Sequence, residues 1–145
     1  MTDTQVQDMK RFLKSYRTLC RVETLLRMRL SDLERMARLP VLHKKDPDPE
    51  QLAARMAHCR QELADLAEQK LKRCREIEET IGRLDGNGAD KTMVYRQILR
   101  LHYLDGLTFC EIADHLHYHE RHVRRLHREA LEAAAQKGAD AHGVD

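Results

Sequence analysis

Glu120, Arg121, His122, Arg124, Arg125 and Arg128 crowd into one short stretch, interleaved with Val123 and Leu126 and followed by Ala130 and Leu131. Those four apolar residues fall at helical spacing, and a helix that buries them turns the charged residues outward. A guanidinium is a planar fork of N–H donors that grips two acceptors at once, such as the O6 and N7 of guanine. A helix with such a face fits the major groove of double-stranded DNA. Arg121, His122 and Arg125 are the expected base contacts. Arg124 and Arg128 are the expected phosphate contacts, which add affinity and salt dependence without sequence information. With Thr108, His119 and Glu120, these residues make up the candidate DNA-contacting set.

The preceding residues supply the elements that must hold this helix. Asp90 is placed to cap a helix over about 91–104, with Val94, Ile98, Leu101 and Leu104 inward and Asp105-Gly106 as its stop. Thr108 and Glu111 have the spacing of a capping box, so a second helix starts at a defined residue and buries Ile112, Ala113 and Leu116. Ala113 is small enough for two helices to cross closely. The turn is Leu116-His117-Tyr118-His119. His117 stands where glycine often adopts a left-handed conformation, and histidine tolerates that region at some strain. His119 stands where a serine or threonine cap is common. This order of helix, turn and basic helix is a helix-turn-helix.

The stretch from Arg100-Leu101-His102-Tyr103-Leu104-Asp105-Gly106-Leu107-Thr108 through Glu111-Ile112-Ala113 to Ala130-Leu131 resembles sigma-factor region four. It is closer to phage and prophage late-transcription regulators of the ArpU and RinA type. Tyr118-His119-Glu120-Arg121-His122-Val123-Arg124-Arg125-Leu126-His127 is similar to their tyrosine-serine-x-arginine-x-valine-x-arginine-leucine-histidine pattern, with His119 in place of the serine. The resemblance covers roughly residues 93–134. It implies control of phage genes, late or packaging genes among them, by binding promoter DNA. Nothing here resembles the segment that recognises the −10 element, so sigma activity itself is not implied.

Upstream, Met9, Phe12, Tyr16, Leu19, Val22, Leu26, Leu30, Leu33 and Met36 recur at steps of three and four, predicting a helix over about 4–39. Closely spaced prolines make Pro40–Pro49 a loop, and Asp48-Pro49 reads as a cap followed by proline at the first helical position. A second helix to about Leu84 carries Leu52, Met56, Cys59, Leu63, Leu66, Cys74, Ile77, Ile81 and Leu84. Its rhythm slips near Lys70-Leu71, where Ala67 and Leu71 would carry the seam sideways. The expected architecture is all-α: a long antiparallel helical hairpin or coiled coil over 1–84 serving oligomerisation, a linker over 85–90, a helix-turn-helix domain over 91–137 and a flexible tail over 138–145. A two-helix hairpin leaves apolar edges uncovered, so a homodimer or higher homo-oligomer is expected.

Composition narrows the remaining classes. The net charge is only +2, so DNA binding requires a local patch rather than the whole chain. No apolar run spans a bilayer and the N-terminus has no secretory pattern, which makes a cytoplasmic protein, phage or prophage encoded, the expectation. The four cysteines are far apart and fall near apolar stripes, as reduced buried thiols do. His115, His117, His119 and His122 cluster in sequence, but a turn separates them and no cysteine pair or carboxylates complete a metal site, so no metal or cofactor is expected. Asp85–Asp90 lacks the spaced acids and terminal glutamate of a calcium loop. No nucleophile elbow, phosphate-binding glycine loop or zinc-protease motif is present, so an enzyme is not expected. Three functions stay open: a homo-oligomeric transcription regulator, a DNA-packaging adaptor such as a small terminase subunit, and a protein-binding module that docks on RNA polymerase. The operator, the sign of regulation and the order of the oligomer have no signature in the chain.

Overall fold

A computed structural model of the chain describes residues 2–42 and 45–142, with side chains described through residue 137. His43 and Lys44 of the expected loop, and residues 143–145 of the expected tail, lie outside the described residues. The described chain is all-α, with no strand. Helix α1 spans Asp3–Arg38, α2 Pro49–Arg83, α3 Ala89–Leu99, α4 Phe109–Leu116 and α5 Glu120–His142, and a π-helical turn, Arg100–Leu104, continues α3. Two compact units are formed, Thr18–Lys72 on the one hand and Met1–Arg17 with Arg73–Asp145 on the other.

In the unit Thr18–Lys72, α1 and α2 run antiparallel. Glu34 meets Arg60 at 3.6 Å, the Cys59 thiol donates to the Leu26 carbonyl at 3.3 Å, and Glu23 meets Lys70 at 3.0 Å. Leu33, Leu52, Cys59 and Leu66 are buried between the helices. The slip in the apolar rhythm has a different outcome from the expected one. Leu71 stays 55% exposed, and Lys70 takes the seam position. Lys70 is half-buried there and its ammonium reaches Glu23. That hydrogen bond holds the Glu23 carboxyl below the usual carboxylate range. Val22 and Met36, expected in the seam, are 40% and 37% exposed. Asp48 caps α2 as its position predicts, accepting from Glu50 N with a side-chain oxygen and from Leu52 N with its carbonyl.

In the other unit, the ends of the hairpin helices do not stand apart from the C-terminal module. Leu13, Ile77, Ile81 and Leu84 share one core with Tyr95, Leu99, Tyr103, Ala130, Leu131 and Ala134. The division expected at residues 85–90 is therefore not where the chain divides. The apolar ends of α1 and α2 need cover, and the far faces of α3 and α5 supply it. The connecting segment is pinned on both sides. Gly86 is buried and its N–H donates to the Thr92 hydroxyl at 2.8 Å, while Arg96 donates to the Gly82 and Leu84 carbonyls at 2.7 and 3.0 Å. A Cβ on Gly86 would lie 2.8 Å from the Tyr95 ring, so this position needs a residue without one. Asp90 is not the cap of α3. The helix starts at Ala89 after Gly88, without a side-chain cap, and Asp90 sits in the first turn, where its charge suits the helix dipole.

The π turn redistributes the buried face of α3. Asp105 N bonds the Arg100 carbonyl five residues back at 3.0 Å, and the wider turn rotates the following side chains. Tyr95, Leu99 and Tyr103 enter the core shared with the hairpin ends. Ile98 enters a second core with Ile112, Ala113 and Val123, against which Val94, Leu101, Leu107, Phe109, Leu116 and Leu126 pack. Leu104, expected in the same stripe as Ile98, packs against the first core instead. Helix α3 thus has two inward faces, and α5 spans both cores. At its far end α5 continues to His142, past residue 138, where the tail was expected to begin.

Candidate nucleic-acid interface

Helix α4 begins where its sequence dictates. The Thr108 hydroxyl accepts from Glu111 N at 3.2 Å, and a Glu111 carboxylate oxygen accepts from Thr108 N at 3.1 Å. Such reciprocal capping is worth about 1 kcal/mol. It lowers the proton affinity of the exposed Glu111 carboxyl. Helix α4 ends on His117, at φ 59° and ψ 43°, the left-handed region expected there, and Tyr118 N bonds the Ala113 carbonyl at 2.9 Å. A left-handed non-glycine residue costs about 1–2 kcal/mol, and glycine returns about 0.5–1 kcal/mol of that as chain entropy in the unfolded state. His117→Gly is accordingly expected to stabilise the fold by about 0.5–1 kcal/mol, seen as a raised thermal midpoint at neutral pH. A lowered midpoint would show that the imidazole contributes more than its strain costs.

Helix α5 then leaves the turn with Val123 and Ala130 fully buried. His119, just before the helix, and Arg121, His122, Arg124, Arg125 and Arg128 on its opposite face together line one surface concavity. All are exposed except His122, which is half-buried. The two residues expected to flank the set have local roles. Thr108 is engaged in the cap of α4, and Glu120 accepts from Arg124 at 2.8 Å. That exposed ion pair contributes little to stability. It does orient Arg124, whose guanidinium also lies over the Phe109 ring, 4.9 Å from its centroid. Arg125 donates to His122 Nδ1 at 2.7 Å. Since a guanidinium only donates, Nδ1 of His122 is the acceptor of this bond. The Tyr118 ring meets the His122 ring edge-on at 4.9 Å. The turn therefore supports His122, and His122 supports Arg125. The face offers arginines held in defined directions, as bidentate recognition requires.

Beneath this face lies a cluster that the sequence reading passed over. His102 stacks on Phe109 at 4.5 Å, and His127 approaches the same ring at 4.8 Å. His127 is only 7% exposed, and its Nε2 lies 2.6 Å from the Tyr103 hydroxyl. The bond needs one proton between the two groups, so neutral imidazole and neutral phenol satisfy each other. Burial, reinforced by the charges of His102, Lys10, Lys14 and Arg124, pushes His127 down to about 3. Burial also lowers His102, whose Nδ1 donates to the Leu107 carbonyl at 2.8 Å. His127 stands four residues after Val123 and three before Ala130, so helical spacing placed it inward. It was missed because only apolar residues were counted in the stripe.

The histidines that do cluster in sequence are scattered across the end of α4, the turn and the start of α5. Among the described residues no three His, Cys, Asp or Glu side chains converge as metal ligands do. All four cysteines are free. Cys59 is buried, Cys20 and Cys74 are half-buried, and Cys110 is exposed, contrary to the expectation of a buried thiol. No helix of the described residues is long and apolar enough to cross a membrane.

The fold and its basic face define a helix-turn-helix protein of the DNA-binding, transcription-regulator kind. Residues 95–133, from Tyr95 in α3 to Ala133 in α5, match the family Sigma-70, region 4. This stretch holds both helices of the motif and all of its exposed arginines. No curated protein and no solved structure matches the chain.

Proposed function

We propose that this protein is a sequence-specific regulator of phage or prophage transcription, of the ArpU and RinA type, that reads the major groove with α5 as a homo-oligomer. It would act in the bacterial cytoplasm on late or packaging genes. The observation that carries the proposal is the exposed face of Arg121, Arg124, Arg125 and Arg128, which follows directly on a region-four-like turn. Arg121, His122 and Arg125 lie near the start of α5 and serve as base readers, with Arg124 and Arg128 on phosphates. His119 borders the reading surface. Thr108 and Glu120 belong to it as positioning residues, through the cap of α4 and the Arg124 ion pair. Self-association is supported by exposed apolar side chains on Thr18–Lys72, among them Leu25 at 65% and Met28 at 59%. Two joined readers gain avidity on paired half-sites without new contacts.

The same apolar side chains favour, as a second reading, a docking partner such as RNA polymerase. Affinity selection of fragmented host and phage DNA with purified protein separates the two. The proposed outcome is one motif with paired half-sites upstream of a phage operon. No enrichment at low salt, together with capture of polymerase, would transfer the function to protein binding. A ring of eight or more subunits in light scattering would point instead to a packaging adaptor.

A further inference from the structure

Helix α1 carries Lys10, Lys14 and Arg17 at steps of four and three, which places the three cations on one face of its first turns. Leu13, between them in sequence, is fully buried in the core that also holds Tyr103. This anchors the cationic face beside the helix-turn-helix. Arg17 lies over the loop that starts α4: a Cβ on Gly106 would be 2.6 Å from its guanidinium carbon. Lys10 and Lys14 lie close enough to His102 and His127 for their charges to act on both rings. His102 stacks on Phe109, the first residue of α4, and Arg124 of the reading helix covers the same Phe109 ring. Cations of α1 and Arg124 of α5 are thus gathered about the His102–Phe109–His127 cluster and the loop that starts α4. Asp105 is the acidic residue on that loop. With a chain net charge of only +2, such a local concentration of positive charge calls for an anionic partner.

We propose that the N-terminal turns of α1 form a second DNA-contacting element, in which Lys10, Lys14 and Arg17 hold the phosphate backbone flanking the site read by α5. This inference rests on the DNA-binding reading above. It gives the N-terminal helix a role besides oligomerisation and extends the phosphate contacts beyond Arg124 and Arg128. Such contacts are independent of sequence, so they set affinity and salt dependence and leave the motif unchanged.

The test is the salt dependence of binding to a labelled mixed-sequence DNA duplex, for the full chain and for K10Q/K14Q. Each lost phosphate contact makes the slope of log affinity against log salt shallower by about 0.9, so the double variant is expected to lose about 2 from its slope and to select the same motif. K10R/K14R, which keeps the charge, is expected to keep the wild-type slope. It also separates charge from packing if the glutamine variant folds poorly. An unchanged slope for K10Q/K14Q, or a slope lost equally in K10R/K14R, overturns the proposal. Failure of the unmodified protein to bind the duplex at low salt overturns the DNA-binding reading itself, a result distinct from binding with an unaltered slope.

Discussion

Replacing Arg121 and Arg125 together by alanine is expected to abolish selection of the DNA motif while leaving the helical fold and its thermal midpoint unchanged. Each bidentate arginine–guanine pair supplies about 1–3 kcal/mol of discrimination. Loss of both therefore corresponds to about 2–6 kcal/mol, or roughly thirty-fold to more than ten-thousand-fold in affinity for the correct site. Folding is spared because both side chains are exposed and neither belongs to either core. Arg124→Ala is the informative contrast. Arg124 is tied to Glu120 and Phe109 and is assigned to phosphate, so its loss weakens all sequences alike and flattens the salt dependence. His122→Ala removes the acceptor that orients Arg125 and should relax preference at the base read by Arg125 more than it lowers overall affinity. Competition titrations of cognate against mixed-sequence duplex distinguish the cases. If the double variant retained the motif, α5 would not be the reading helix.

The second large effect is on stability in acid. His127 is held neutral in the fold, with its pKa pushed from 6.5 to about 3. Unfolding exposes it to water, where it binds a proton below about 6.5. Between those values the unfolded chain binds more protons than the native one, so stability falls as the pH falls. The contribution is fully present above 6.5. About 2 kcal/mol of it is lost by pH 5, and a few kcal/mol by pH 3. His102, also lowered, acts in the same direction. Urea denaturation at pH 7 and pH 5 should therefore show a marked loss of stability for the wild type. His127→Gln, which can still bond the Tyr103 hydroxyl but does not titrate, should lose clearly less over the same interval. Equal pH dependence in the two proteins would remove His127 as the cause. Since this cluster lies under Phe109 and Arg124, its protonation should disorder the reading face before the hairpin core is lost.

Much of the site was legible in the chain because local chemistry determines it. The Thr108–Glu111 pair starts α4 through hydrogen bonds between near neighbours. His117 takes the left-handed conformation at a place where the chain must reverse within a few residues. The arginines of α5 face outward because Val123 and Ala130 at helical spacing must face inward, and no tertiary contact is needed to reach that result. The helical seams of α1 and α2 were legible for the same reason of periodicity.

Other features depended on surfaces far apart in sequence. Lys70 replaced Leu71 in the seam because Glu23 stands opposite it, a pairing across the hairpin that no local pattern states. Gly86 and its neighbours read as a linker, but Thr92, Tyr95 and Arg96 pin them into the fold. The π turn at Arg100–Leu104 divided α3 between two cores, because one face must cover the ends of the hairpin while the other packs against α4 and α5. Helical spacing turns His127 inward, but its buried partner, the Tyr103 hydroxyl, comes from 24 residues away in the chain. What the sequence by itself determined was the all-α class, the helix-turn-helix and the basic face of α5, since each follows from helical periodicity and short-range capping. What only the tertiary structure decided was the union of the hairpin ends with the C-terminal module and the placement of the α1 cations beside the loop that starts α4. Both arise from which apolar faces find each other, and periodicity records only that such faces exist.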